Sequence, residues 1–357
     1  MFGIFEGNNF IVFFISIIIS NIAVFPVRNF GLKLGIIDKY EKRKDFKGVI
    51  VRIGGVSIML GCFISIYLFS YLLDFQFNNQ IIELSFISFL FFCIGFIDDI
   101  FSIKPKPRLA LQAFATLLAF SFLENMNFPL FRDLIFGNYL NEFFLILSLI
   151  VTVFWITGVT NAINWTDGLD GLAGGVSVVL SSGLFFIFLS LDLYDYALYS
   201  ISIAGACYGF LIHNYKPASI LMGDGGSYFL GFNLASLSLI ASNALFLEAK
   251  TGNAFFTSLF PLILLGVPIV DMFFVILIRI YNLKSPFYPD RNHLHHRLLS
   301  LGINYKVTIS IILLLNISFV SLVYLLFSKY EFIFISLIFY TLLLLSLKFL
   351  KKFLILK

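Results

Sequence analysis

Charged residues make up only 12% of this 357-residue chain, yet they gather at four places in combinations suited to handling phosphate. Asp98 and Asp99 are adjacent in GFIDDIFSIKPKPR. Asn161, Asn164, Asp167 and Asp170 share NAINWTDGLDGLAGG, and Asp224 stands in LMGDGGSYFLG. The last group, PDRNHLHHRLLSLG, carries Arg291, His293, His295, His296 and Arg297. Carboxylate and amide oxygens suit Mg²⁺, with Mn²⁺ as its substitute, and water and substrate phosphates complete the shell. Imidazole and guanidinium groups supply donors for phosphate oxygens. Acids for a metal beside bases for phosphates is the inventory of phosphoryl transfer, which runs on positioning and charge stabilisation.

Each group alone has a plainer reading. Asp98-Asp99 could be a polar helix end, although adjacent carboxylates repel one another unless a cation sits there. The glycines of DGLDGLAGG suit close helix packing as well as a loop. Asp167 and Asp170 share a face if that stretch is a helical turn. GDGGS cradles an anion only where its backbone N–H groups converge. Three His could bind zinc, but HLHH lacks Cys, and the neighbouring carboxylates favour a harder cation. The 47 Phe read as lipid-facing surface rather than a cofactor box. Cys62, Cys93 and Cys207 lie singly in apolar runs without a CxxC pair, as buried small hydrophobes do.

The elements that must position these residues are membrane helices. Hydrophobic residues make up 60% of the chain, in recurrent apolar runs long enough to cross roughly 30 Å of hydrocarbon. In lipid every backbone polar group needs an internal partner, so such runs are helical. The fold class expected is all-α and polytopic, with spans at 9–26, 50–73, 81–97, 108–125, 143–160, 171–191, 196–213, 228–246, 254–278, 306–327 and 332–350. That makes about eleven, with the termini on opposite sides. Arg28, Lys33, Lys39, Lys42, Arg43, Lys44 and Lys47 all follow the first span, which puts the N-terminus outside and the C-terminus inside. On this alternation only Arg132, Lys250 and Lys329 of the 24 Lys and Arg lie outside, and all four polar groups lie inside. The net charge of +4 is thereby a matter of topology, and no nucleic-acid partner is expected. No linker divides residues 1–357, so one membrane domain is expected.

In order and spacing, GFIDD, NAINWTDGLDGLAGG, GDGGSYFLG and DRNHLHHRLLSLG resemble the polyprenyl-phosphate N-acetylhexosamine-1-phosphate transferases of glycosyltransferase family 4. The likeness covers about residues 47–302. The HLHHR form is similar to the undecaprenyl-phosphate GlcNAc-1-phosphate transferase branch, which serves O-antigen, teichoic acid or related glycans. The resemblance implies that Asp98 activates or positions the lipid phosphate, with Asp99 beside it. Asp224 would be the principal Mg²⁺ ligand, and Asn164 would help bind metal or pyrophosphate. Asp167 and Asp170 would line the nucleotide pocket, with Asn214 at the uridine, and Asn161 is a further candidate for binding substrate. His293, His295, His296 and Arg297 would close over pyrophosphate and sugar as catalytic residues, and Arg291 is a candidate for binding substrate phosphate. Asp271 in VPIVDMFF also matches this branch, in a helix that Pro268 could break. Two departures weaken single assignments: Val51 stands where Pro is usual, beside the candidate contact Arg52, and Arg108 stands where Lys is frequent.

The function implied is transfer of N-acetylhexosamine-1-phosphate from a UDP-sugar to polyprenyl phosphate, at the inner face of a bacterial cytoplasmic membrane. A homodimer is compatible with the resemblance. Two rivals fit less well. A cation or anion transporter wants charges near mid-span on broken helices, and here they sit at inner ends. A membrane prenyltransferase wants DDxxD, whereas DDIFS ends in Ser102.

Overall fold

The computed structural model describes residues 2–38, 49–123, 125–131, 141–248 and 254–327. The expected span at 332–350, the basic residues between 39 and 48, and Arg132, Lys250 and Lys329 lie outside them. The described chain is built from helices α1 (Phe2–Leu34), α2 (Gly55–Leu73), α3 (Asn79–Phe101), α4 (Pro105–Phe122), α5 (Asn141–Thr166), α6 (Leu172–Ser190) and α7 (Tyr194–Asn214). They are followed by α8 (Gly223–Glu248), α9 (Ala254–Leu264), α10 (Gly266–Tyr281), α11 (Leu294–Ser300) and α12 (Tyr305–Phe327). Eight of these are long and apolar enough to cross a membrane, and α9 with α10 form a ninth candidate bent by 77°. The protein is an all-α, multi-pass membrane protein.

α6, α7 and α8 occupy the middle of the bundle and are buried on nearly every side. Their sequences explain this, because Ser177, Ser181, Ser182, Ser200, Ser202, Ser236 and Ser238 are all sealed inside. Small side chains let helix backbones approach where lipid offers no hydrophobic drive for association. The outer helices carry bulk instead. On α1, Phe14, Ile18, Ile22 and Phe25 form an exposed stripe at the spacing of one helix face. This is where much of the Phe content goes.

Several helices run further than hydropathy suggests. The span expected at 143–160 continues to Thr166, that at 81–97 to Phe101, and that at 228–246 begins at Gly223. The extra turns hold the polar residues of interest. Conversely, residues 50–51 of the expected second span are not helical. Ile50–Val51 pairs antiparallel with Ile37–Asp38, and Val51 bridges Ile220. The span expected at 254–278 breaks at Leu265. Proline has no N–H for the carbonyl four residues before it, so Pro268 cannot bond that of Leu264, and the helix ends there. Pro268 then sits in the first turn of α10, where no donor is needed.

Candidate active site

The C-terminal ends of α3, α5 and α7 and the N-terminal ends of α6 and α8 converge at one end of the bundle. Asp99 closes the α3–α8 junction. Its Oδ1 accepts from the Asp224 N–H at 2.9 Å and its Oδ2 from the Gly225 N–H at 3.0 Å. A helix N-terminus leaves such donors unpaired and favours negative charge, so one carboxylate answers both needs. Arg52 completes the group, with Nε 3.1 Å from Asp99 Oδ1 and Nη2 3.5 Å from Asp224 Oδ2. Gly223 makes the approach feasible: its φ is +76°, and a Cβ there would run into the Arg52 carbonyl.

Asp98 faces elsewhere. Its Oδ1 accepts from the Ile103 N–H at 2.7 Å, closing the turn that leads into α4. Its Oδ2 takes Arg108 Nη1 at 3.0 Å and the Tyr228 hydroxyl at 3.1 Å. The Asp98 and Asp99 side chains are 4% and 1% exposed, whereas that of Asp224 is 20% exposed. Neither member of the pair lines the cavity described next.

That cavity, of about 800 Å³, opens beside Asp224 and is walled by Arg52, Asn164, Asp167, Asp170, Asn214, Arg291 and His296 among the expected residues. Asn164 donates to Asp224 Oδ1 at 2.7 Å and to Ser227 Oγ at 2.9 Å. Asp167 and Asp170 reach the cavity from a turn between α5 and α6, not from one face of a helix. Burial, and after it the charge of Asp224, holds the Asp167 carboxyl well above its usual range. Asn214 has a bracing position: it accepts from the Gly171 N–H at 2.9 Å and donates to the Ile220 carbonyl at 2.9 Å. Asn161 stands one turn behind, donating to Gln112 at 2.8 Å between α5 and α4.

The histidine group arrives on the far side of the bent span. Arg279, buried at the end of α10, grips Asp290 through Nε at 2.9 Å and Nη2 at 3.0 Å, with its guanidinium carbon 4.8 Å from the centre of the Trp165 ring. The loop is thus clamped onto the end of α5. His293 bonds Asp271 through Nδ1 at 2.8 Å, and Asp271 also accepts from the Leu294 N–H at 2.6 Å. His295 is buried against Gly168, where any Cβ would strike its ring. Burial, with His296 and His293 nearby, pushes it down to about 3, so it is neutral. His296 is also lowered, by burial first and then by His293 and Arg291. Arg297 lies over Phe274 at 4.2 Å.

Arg279, Tyr228 and Gln112 were not singled out from sequence. Arg279 reads there as an inner-end topology charge, and Tyr228 and Gln112 as ordinary members of apolar helices. Tyr305, which donates to the Asp170 carbonyl at 2.6 Å and packs under Lys216 at 4.0 Å, offered no signal at all.

As to a metal, no group of three or more His, Cys, Asp or Glu side chains forms a cage among the described residues. The donor set instead suits an ion that takes one or two carboxylates and leaves the rest of its shell to water and phosphates. Asp224 and Asp167 face one cavity, and the charge of Asp224 adds to burial in raising the Asp167 carboxyl, both of which a cation there would offset.

Fold and site together define a class: a polytopic helical membrane protein with an acid- and base-lined cavity let into one end of its bundle. Residues 81–242 match the model of glycosyl transferase family 4. The probable undecaprenyl-phosphate N-acetylglucosaminyl 1-phosphate transferase of Bacillus subtilis is 30% identical over 312 residues, 87% of this chain and 82% of its own. The decaprenyl-phosphate N-acetylglucosaminephosphotransferase of Mycobacterium tuberculosis is 31% identical over 83% of this chain and 77% of its own. A phospho-N-acetylmuramoyl-pentapeptide-transferase of Listeria monocytogenes is 33% identical over 58% of this chain and 67% of its own. The chain belongs to the polyprenyl-phosphate N-acetylglucosamine-1-phosphate transferase family, and it is a transferase.

Proposed function

We propose that this single-domain enzyme transfers N-acetylhexosamine-1-phosphate from a UDP-sugar to undecaprenyl or a similar polyprenyl phosphate, beginning a cell-surface glycan. The observation that carries the reading is the cavity of about 800 Å³ in which Asp224 and Asp167 share walls with Arg52, Arg291 and His296. Its volume lies within the range of about 300–1,000 Å³ usual for small-molecule sites. An oxygen of the lipid phosphate attacks the β-phosphorus of the donor, the bond to the bridging oxygen breaks, and UMP leaves. Asp224, with the Asn164 amide and Asp167 beside it, would hold Mg²⁺, which supplies neutralisation of pyrophosphate charge. Arg52, Arg291 and His296 bind phosphate oxygens, and Asp98 contributes by holding Arg108. We place the site at the cytoplasmic face of a bacterial inner membrane, with eleven spans and the N-terminus outside, because the basic residues segregate that way.

Radiolabel from a panel of UDP-N-acetylhexosamines, given to purified enzyme with polyprenyl phosphate, should move into an organic-soluble lipid with release of UMP. Label that stays in water for every donor sinks the reading.

A further inference from the structure

Arg279, at the end of α10, has no part in the chemistry proposed above, yet one loop takes its hydrogen bonds. Its side chain is 4% exposed, a depth at which arginine is found only when paired. Nε and Nη2 fork onto the two oxygens of Asp290 at 2.9 and 3.0 Å, and Nη1 donates to the Pro286 carbonyl at 2.5 Å. Such a paired fork fixes orientation as well as distance. The Trp165 ring beside the guanidinium ties the arrangement to Asn164, one residue back on α5, whose amide holds Asp224.

Asp290 passes the constraint on. Its Oδ1 also accepts from the Asn292 N–H at 3.2 Å and its Oδ2 from Asn292 Nδ2 at 3.0 Å, which closes a turn around Arg291. The residues on both sides of Arg291 are thus held by one buried cation, and Arg291 itself lines the cavity. Mere attachment of the segment does not call for Arg279. Elsewhere α10 holds it through Asp271, which takes the Leu294 N–H, and through Phe274 under Arg297.

We propose that Arg279 is a positioning residue that, through Asp290, sets the turn carrying Arg291 and so aims that guanidinium at the phosphates of the donor. The inference rests on the function proposed above. Its rival is a clamp that only stabilises the loop.

The test measures kcat and KM for UMP release, with thermal stability, using the UDP-N-acetylhexosamine that wild type turns over. The variants are R279Q, R291Q and the two combined. R291Q should lower kcat/KM for the donor by about 10- to 100-fold, as for loss of a hydrogen bond to a charged group. R279Q alone should lower it by about tenfold, but by less than about twofold in the R291Q background, because the two residues act as one unit. A clamp that only stabilises the loop would cost the same factor in both backgrounds, and that result overturns the proposal. So does R279Q or R291Q within about twofold of wild type. Should R279Q not fold, D290E keeps a carboxylate for Arg279 but, one methylene longer, no longer closes the turn at Asn292. It should show the same loss, again absent in the R291Q background, and D290E within about twofold of wild type overturns the proposal equally. Wild-type enzyme that releases no UMP from any donor overturns the function itself, a result distinct from active wild type with active R279Q.

Discussion

Asp99→Asn is the substitution for which the structure gives the most definite expectation. The carboxylate accepts two backbone N–H bonds at the start of α8 and pairs with Arg52, with its side chain 1% exposed. An amide keeps the shape but has a single acceptor oxygen, so its NH₂ must point at one of the two N–H groups. Loss of an N-terminal cap costs about 1 kcal/mol, and a buried donor left unpaired costs about 1–3 kcal/mol. The Arg52 side chain is 34% exposed, so water takes up much of its lost pairing, and that part adds only about 0–1 kcal/mol. The total is roughly 3 kcal/mol, a fall of about 5 °C or more in melting temperature. Cys62 and Cys207 are buried free thiols, so a thiol-reactive dye reports unfolding directly in detergent. D99N should melt early and lose turnover together. If it melts with wild type while losing all activity, Asp99 is a chemical group and the capping argument is wrong.

Asp224→Asn should do the reverse, abolishing turnover and blunting Mg²⁺ dependence while melting within about 2 °C of wild type, since a partly exposed carboxylate is exchanged for an amide; near-normal activity at low Mg²⁺ would remove Asp224 from the metal site. Gly168→Ala puts a methyl into the His295 ring and should cost about 1–3 kcal/mol of stability as well as turnover, and a fully active, fully stable variant would show that this packing is dispensable. Single cysteines at Asn78 should label from outside with an impermeant reagent and those at Ser285 or Lys104 should not, the opposite pattern reversing the orientation.

The spans were legible because lipid leaves the backbone no choice. Where they end was less so, since hydropathy stops a helix at its first charges while the hydrogen-bond ladder does not. Asp98, Asp99, Asn161, Asn164 and Asp224 therefore prove to be helical residues. Asp167 and Asp170 do share a wall, but a turn puts them there. The weight of Arg52 was hidden because its partner Asp224 lies 172 residues away, and no local pattern encodes such a pairing. Asn161 shows the converse: it stands in a motif dense with cavity residues, yet its position faces Gln112 on α4. Two-residue strands such as Ile37–Asp38 leave no periodicity to read.

The two adjacent carboxylates divide their work by direction. Neighbours on a helix point about 100° apart, and here Asp98 reaches α4 through the Ile103 N–H and Arg108 and the second turn of α8 through the Tyr228 hydroxyl, whereas Asp99 takes the first N–H groups of α8, those of Asp224 and Gly225. Asp98 thus fastens α3 to both α4 and α8, and Asp99 fastens it to α8 alone. With the first N–H groups of α8 already taken by Asp99, the Asp224 side chain has no capping duty and is left facing the cavity. This arrangement changes how an inactive variant is to be interpreted. Loss of turnover in Asp98 or Asp99 variants does not identify a nucleophile-activating base, because removing Asp99 frees the start of α8 that carries Asp224, and removing Asp98 frees Arg108 and the α4 turn. For Asp98→Asn the discriminating quantity is the pH profile. A base would be relieved at pH 8.5, where the lipid phosphate, with a second pKa of about 6 by analogy with phosphomonoesters, is fully ionised. A residue that only holds Arg108 and the α4 turn would not be. The contacts at Asp98 favour a kcat loss that persists at high pH, and recovery of most of the rate there would return Asp98 to the chemistry.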